Sequence, residues 1–194
     1  RIPPEYSAEM TAYDPTSVQP FDGADDLIPA TVPVATLQRV LQALLKDRVS
    51  IPDLSAILEA LGEAAAHTKS VTQMVEHVRS RLARQLCWQN RAEDGTLPIV
   101  TLSHEWENAF ASSLIGQGEE RQLTMAPSQL QEFIRAVRDT FERVSMSGEV
   151  AVLLTSPLIR PFVRSIIERF RAATVVMSQN EIHPKVKLKT VGQI

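Results

Sequence analysis

Val150-Ala151-Val152-Leu153-Leu154-Thr155-Ser156-Pro157-Leu158-Ile159-Arg160-Pro161-Phe162 is the stretch that decides the fold class. From Val150 to Leu154 the residues are continuously apolar, the pattern of a strand covered on both faces. Ser156-Pro157 follows, pairing an N-cap residue with a proline whose φ suits a first helical turn. Ile159, Phe162, Val163, Ile166, Ile167 and Phe170 then recur at helical spacing. A buried strand feeding directly into a helix predicts an α/β layer.

The same alternation extends outward. Pro98-Ile99-Val100-Thr101-Leu102 reads as a short strand, and Ser103 caps a helix with Glu105 in its first turn. That helix carries Trp106, Ala109, Phe110 and Leu114 and is expected to stop at Gly116-Gln117-Gly118. Pro127 opens a long helix with Leu130, Phe133, Ile134, Val137, Phe141 and Val144 in register. Thr174-Val175-Val176-Met177 reads as another strand, and Val186 to Val191 as a last one with alternating lysines. Residues 96–194 are therefore expected to form an α/β subdomain, bounded upstream by the polar stretch over 91–97.

Residues 31–92 have a different rhythm. Leu37, Val40, Leu41, Leu44 and Leu45 form one helical stripe, and Leu54, Ile57, Leu58 and Leu61 a second. Ser50, followed by Pro52 and Asp53, is the expected N-cap between them. Val71, Met74, Val75, Val78, Leu82 and Leu86 make a third helix, with Arg79, Arg81 and Arg84 on its polar face. Three one-sided helices must pack on one another. The expected architecture, α+β or α/β in class, is a three-helix subdomain followed by a small α/β subdomain with a short sheet.

The chain has 194 residues, 44% hydrophobic, with a net charge of -3 and aromatics at 5%. That balance argues against a base-stacking or phosphate-binding surface, so no nucleic-acid partner is expected. Residues 1–30 hold Arg1 against Glu5, Glu9, Asp14, Asp22, Asp25 and Asp26, together with five prolines, and read as an extended acidic strap. No signal peptide opens the chain, and its longest apolar run is far short of the ~20 residues of a membrane helix.

Little in the chain points to catalysis. His67, His77, His104 and His183 lack metal-ligand spacing, so no metal site is expected. Cys87, the one cysteine, reads as a small core hydrophobe. The Ser156 to Arg160 turn lies where α/β proteins bind anions, yet no glycine opens the backbone there; Ser156 reads as a plain cap and Arg160 as solvated. Arg160, Arg164, Arg169 and Arg171 together read as an exposed face. Lys185, Lys187 and Lys189 either hold an acidic partner or blunt an edge strand against aggregation. No catalytic residue, cofactor or metal is assigned.

Leu37 through Leu54, Ile57-Leu58-Glu59-Ala60-Leu61, Ser156 through Phe162 and Ser178-Gln179-Asn180-Glu181-Ile182 together resemble the FlhA family. These are the large export-gate components of bacterial flagellar and virulence-type III secretion systems. Asn180-Glu181-Ile182 and Lys187-Leu188-Lys189-Thr190-Val191-Gly192 look like the flagellar branch more than the injectisome branch. The resemblance implies a non-enzymatic cytoplasmic portion of an inner-membrane protein, anchored through an N-terminal region outside these residues. It also implies a nonameric ring that works with other export-gate proteins and docks export chaperones with their substrates and ATPase-complex components. On that map 1–30 is the tail of a preceding, mostly absent subdomain, 31–92 the helical third subdomain and 96–194 the fourth. Candidate docking surfaces are the groove between the two halves and the edge near Asn180, Glu181 and Lys185, with Arg160 and Arg164 as further partner-binding candidates. The alternatives are an injectisome homologue, or a small α/β anion- or nucleotide-binding protein using Ser156 to Arg160.

Overall fold

The computed structural model describes residues 31–51, 53–118 and 121–194; the acidic strap over 1–30 lies outside the described residues. The helical half consists of α1 (Val34–Lys46), α2 (Leu54–Ala65), α3 (Val71–Arg81) and α4 (Ala83–Asn90). The cap of α2 is Asp53, not Ser50. Asp53 immediately precedes the first helical residue, and its Oδ1 accepts the Ala56 N–H at 3.0 Å. The Ser50 carbonyl instead accepts the Gln85 side-chain amide at 2.7 Å.

The stretch expected as one third helix is two. At Leu82 the N–H is shared between the Val78 and Arg79 carbonyls, and the backbone leaves the helix at φ -88, ψ 14. Leu82 itself is buried, so the break keeps its side chain in the core while re-aiming the next turn. As a result the Cys87 thiol donates to the Glu181 carbonyl at 3.2 Å.

The end of α1 is set by a left-handed residue. Arg48 takes φ 59; its N–H donates to the Leu45 carbonyl and that of Val49 to the Leu44 carbonyl, each at 2.9 Å. This is the Schellman pattern, closed by apolar contact within one core between buried Leu44 and Val49.

The second half runs β1 (Thr96–Thr101), α5 (His104–Ser112), β2 (Leu114–Ile115), β3 (Gln122–Leu123), α6 (Pro127–Met146), β4 (Val152–Thr155), α7 (Arg160–Ile167) and β5 (Val176–Ser178). A 3-10 turn (Gln179–Glu181) and β6 (Lys187–Gln193) complete it. Ser103 caps α5 as expected, but that helix stops at Ser112, and Leu114 enters a small antiparallel hairpin of β2 and β3. Nor does α7 start at Ser156. Residues 157–159 form a turn, Ile159 takes the N-cap position and Pro161 sits in the first turn. The Ser156 N–H is held by Glu107 Oε1 at 2.9 Å.

The main sheet is four-stranded and parallel, in the order β5-β4-β1-β6. Strand periodicity sorts its side chains into two cores. Ile99 and its neighbour Val152, with Leu154 and Met177, face the helices α1 to α4. Val100, Leu153 and Val176 face α5, α6 and α7, meeting Phe110, Phe133, Val137 and Val163. The helical half therefore packs on the sheet itself, giving a helix–sheet–helix sandwich. Phe133 stacks edge-on against both Trp106 and Phe110, with centroids 5.2 and 4.8 Å apart. β6 is an edge strand with exposed Lys187 and Lys189, as the edge-blunting reading requires.

Arg48 sits where glycine is favoured, because an L side chain in the left-handed region crowds its own carbonyl. Arg48→Gly is expected to raise stability by about 0.5–1 kcal/mol, the relieved strain outweighing the added unfolded-state entropy. Urea denaturation of the two proteins reads the difference.

Candidate functional site

The two halves meet at a buried ionic seam. Asp47 arrives from the end of α1, positioned by the turn at Arg48. Glu76 and Arg79 project from α3 three residues apart, hence from one face. Arg160 and Arg164 project from α7 at the equally favourable spacing of four. Glu181 comes from the 3-10 turn, where its carboxylate accepts the Ser178 N–H in a capping box.

Asp47 is the hub. Its Oδ2 accepts from Arg79 Nη1 at 3.1 Å and from Arg160 Nη1 at 3.0 Å, and its Oδ1 from Arg164 Nε at 3.1 Å. Glu76 takes both oxygens to Arg160 Nε, at 2.9 and 2.7 Å, and Glu181 pairs with Arg79 Nε. Three guanidiniums thus meet three carboxylates. The remaining donors go to backbone: Arg79 and Arg160 both reach the Val176 carbonyl, at 3.2 and 3.3 Å, and Arg164 reaches those of Thr174 and Lys46. Thr174 and Val176 flank the open edge of β5, whose other side pairs with β4. Arginine side chains therefore take the place of a further strand there. Among the described residues no buried side-chain polar atom lacks a hydrogen-bond partner, the condition under which so many buried charges are tolerated.

Electrostatics follow from this packing. Burial pushes the Glu76 carboxyl up, against the pull of Arg160 in the other direction. Burial also opposes the charge on Arg160, but Glu76, Glu181 and Asp47 outweigh it and hold the guanidinium pKa above its ordinary value. Burial raises the Cys87 thiol, so it is no activated nucleophile. Among the described residues no group of histidine, cysteine and carboxylate side chains is placed to hold a metal ion.

These positions correct the sequence reading. Arg160 and Arg164 are buried, not solvated, and so is Arg79, which was assigned to a polar face. Glu181 is 1% exposed and committed to Arg79 and Ser178, so it offers nothing to a partner. Of the candidates, Asn180 and Lys185 are at the surface. The seam unites Arg160, Arg164 and Glu181 with Asp47, Glu76 and Arg79, three residues the sequence does not mark as site candidates. The Ser156 turn is closed to an anion on two counts: its N–H already binds Glu107, and Arg160 is neutralised inside.

Above the seam lies a groove of about 620 Å³ between α3, the turn before α7 and the segment leading into β3. Gln73 and Glu76 form one wall; Leu158, Pro161 and Phe162 form the other; Arg121 stands at the end. Leu158 is 45% exposed, an apolar side chain left without cover. A smaller depression of about 250 Å³ shares Thr72, Glu76, Pro161 and Ser165 with it and is lined in part by Asp47, Arg160 and Arg164. This is the groove between the halves that the sequence reading named as a docking candidate.

Known proteins align with this chain over most of its length. The pattern of the FHIPEP family matches residues 18–187. The flagellar biosynthesis protein FlhA of Caulobacter vibrioides is 68% identical over 170 residues, covering 88% of this chain and 24% of that protein. The chain spans about a quarter of the length of the curated relatives it matches. Among solved structures, CdsV of Chlamydia pneumoniae in its complex with CdsO superposes with a TM-score of 0.77 at 26% identity, over 84% of this chain and 48% of that one. The nonameric EscV cytosolic domain from a type III secretion system shares the fold, with a TM-score of 0.77 at 23% identity over 98% of this chain and 55% of that one.

Removing one partner from a buried charge network leaves the others uncompensated. Asp47→Ala is expected to destabilise by about 3–5 kcal/mol, since it takes a carboxylate from three buried arginines at once and leaves Arg164 without its carboxylate partner. Glu63→Gln is the control: its pairs with His77 and Arg81 are exposed, and the urea midpoint should stay where it is.

Proposed function

Because the chain belongs to the FHIPEP family, we propose that it is the docking portion of a flagellar type III export-gate protein, a non-enzymatic module facing the cytoplasm. Identity of 68% to a flagellar FlhA, against 28% to the low calcium response locus protein D of Yersinia pestis, favours the flagellar over the virulence branch. In this reading the intact protein is held at the inner membrane by a region outside these residues. Among the described residues no helix is long and apolar enough to cross a membrane. In this reading copies assemble as a ring, as the nonameric EscV cytosolic domain does.

One observation carries the docking role: the groove along α3 and α7, with uncovered Leu158 on its wall and a fixed ionic floor. Apolar side chains beside a few oriented polar groups are what a protein segment needs for burial and register. Export chaperones with their substrates are the proposed occupants, and components of the ATPase complex engage the same face of the ring. The CdsV–CdsO complex supports the general idea that this fold binds protein partners.

Leu158→Asp in the intact export-gate protein tests the reading. Leu158 lies at the surface, so the melting temperature should hold, while capture of export chaperones in pull-down is expected to fall at least tenfold. Capture at the wild-type level would remove the groove from the docking surface. Analytical ultracentrifugation of the same variant should give the wild-type ring, because Leu158 serves docking and not assembly in this scheme.

A further inference from the structure

The two margins of the four-stranded sheet are finished differently. At β5 the outward carbonyl of Thr174 is taken by Arg164, and that of Val176 by Arg79 and Arg160. At β6, among the described residues, no hydrogen bond reaches the outward backbone of Lys187–Gln193. Register identifies the groups concerned. The Thr101 carbonyl accepts the Ile194 N–H at 2.9 Å, so Thr101 faces β6, and by alternation so do Ile99 and Leu97. In a parallel ladder a residue bonds those on either side of its partner. Leu188 and Thr190, the partners of Leu97 and Ile99, therefore turn their N–H and C=O away from the sheet.

Side chains along this edge are sorted by face. Leu188, 45% exposed, and Thr190 lie on the side of Leu97 and Ile99; Lys187 and Lys189 lie on the side of Val100, where α6 packs. Lys189 is held by Glu149, whereas Lys187 is exposed and has no ion-pair partner among the described residues. The register slips between Ile99 and Val100, and the bulge brings Gly192 against α6, where a Cβ would stand 3.1 Å from Thr140 Cγ2. Beside Gly192, α6 and the last residues of β6 frame a concavity of about 330 Å³. Arg143 stands on its wall, its Nη2 donating to Thr140 Oγ1 at 3.2 Å, with no carboxylate partner among the described residues.

We propose that β6 receives, as a fifth strand, a short extended segment of a protein partner in which acidic residues alternate with apolar ones. Leu188 and Thr190 supply the backbone hydrogen bonds. On the α6 side the segment's carboxylates lie over Lys187 and reach Arg143; on the other side its apolar residues cover Leu188. Charge selects the occupant. Two copies of β6 laid side by side would bring lysines together, so self-pairing is disfavoured, while an acidic strand gains cross-strand pairs from the same lysines. The bulge ends the regular ladder after Thr190, which keeps the paired stretch short. This edge lies apart from the α3–α7 groove and does not depend on its docking role.

Fluorescence anisotropy of the full chain with a fluorescein-labelled hexapeptide, Glu-Val-Glu-Val-Glu-Val, tests the site. Saturable binding is expected, weakened at least tenfold by Lys187→Glu with Arg143→Glu. Both residues are exposed, and an unchanged melting curve would show that the double variant is folded. Strand addition has a signature that charge attraction lacks, because only every second amide of the added strand faces β6. Of two peptides N-methylated either at the valines or at the glutamates, one is expected to lose binding and the other to keep it. Leu158→Asp should leave binding untouched, separating this edge from the α3–α7 groove. Absence of saturable binding, equal affinity in the double variant, equal binding of the two methylated peptides, weakened binding in Leu158→Asp, or equally tight binding of Lys-Val-Lys-Val-Lys-Val would each overturn the proposal. Dimers of the chain that the peptide disperses would make a second copy the occupant and overturn it too.

Discussion

A carboxylate at the end of one helix holds three buried guanidiniums, and much of the molecule's geometry depends on that fact. Asp47 binds Arg79, Arg160 and Arg164, which belong to opposite halves of the chain. Burying these charges is tolerable only because every donor has an acceptor: Glu76 and Glu181 complete the charge balance, and outward backbone carbonyls of the β5 segment take the rest. The seam thus closes the exposed edge of the sheet and fixes the helical half against the α/β half in one arrangement. Apolar packing alone, being non-directional, would permit sliding between the layers.

That rigidity shapes the surface with a functional reading. The α3–α7 groove stands on the seam, so its walls keep their separation when a partner segment enters. The segment leading into β6 is tied to the same network from the other side of Glu181, through Cys87 and the His183 backbone.

Much of the fold was legible in the residues. The unbroken run around Val152 and Leu153 declared a strand covered on both sides, and Ser103 and Pro127 marked the helix starts that the structure contains. Errors fell where a local signal met a tertiary demand. Ser156-Pro157 has the chemistry of a helix start, but Glu107 claims the Ser156 N–H and delays α7 to Arg160. Leu82 continues a helical stripe, yet the core requires a bend there. The candidate site was harder to see because charged residues are ordinarily exposed, and pattern reading assigns arginine to solvent. One clue was available: Arg160 and Arg164 fall in register with Val163 and Ile167, inside an apolar stripe instead of opposite it.

By itself, then, the sequence determined most of the helices and strands, which faces are apolar, and which family the chain resembles. These follow from local spacing, which depends on residues a few positions apart. Only the tertiary structure decided that Asp47, Glu76, Arg79, Arg160, Arg164 and Glu181 converge, and that Leu158 is left facing outward. Those partners are separated by up to 117 residues, as Asp47 and Arg164 are. A charge at that distance carries no local mark of its partner; the ion pair exists only once the sheet has brought the two halves together.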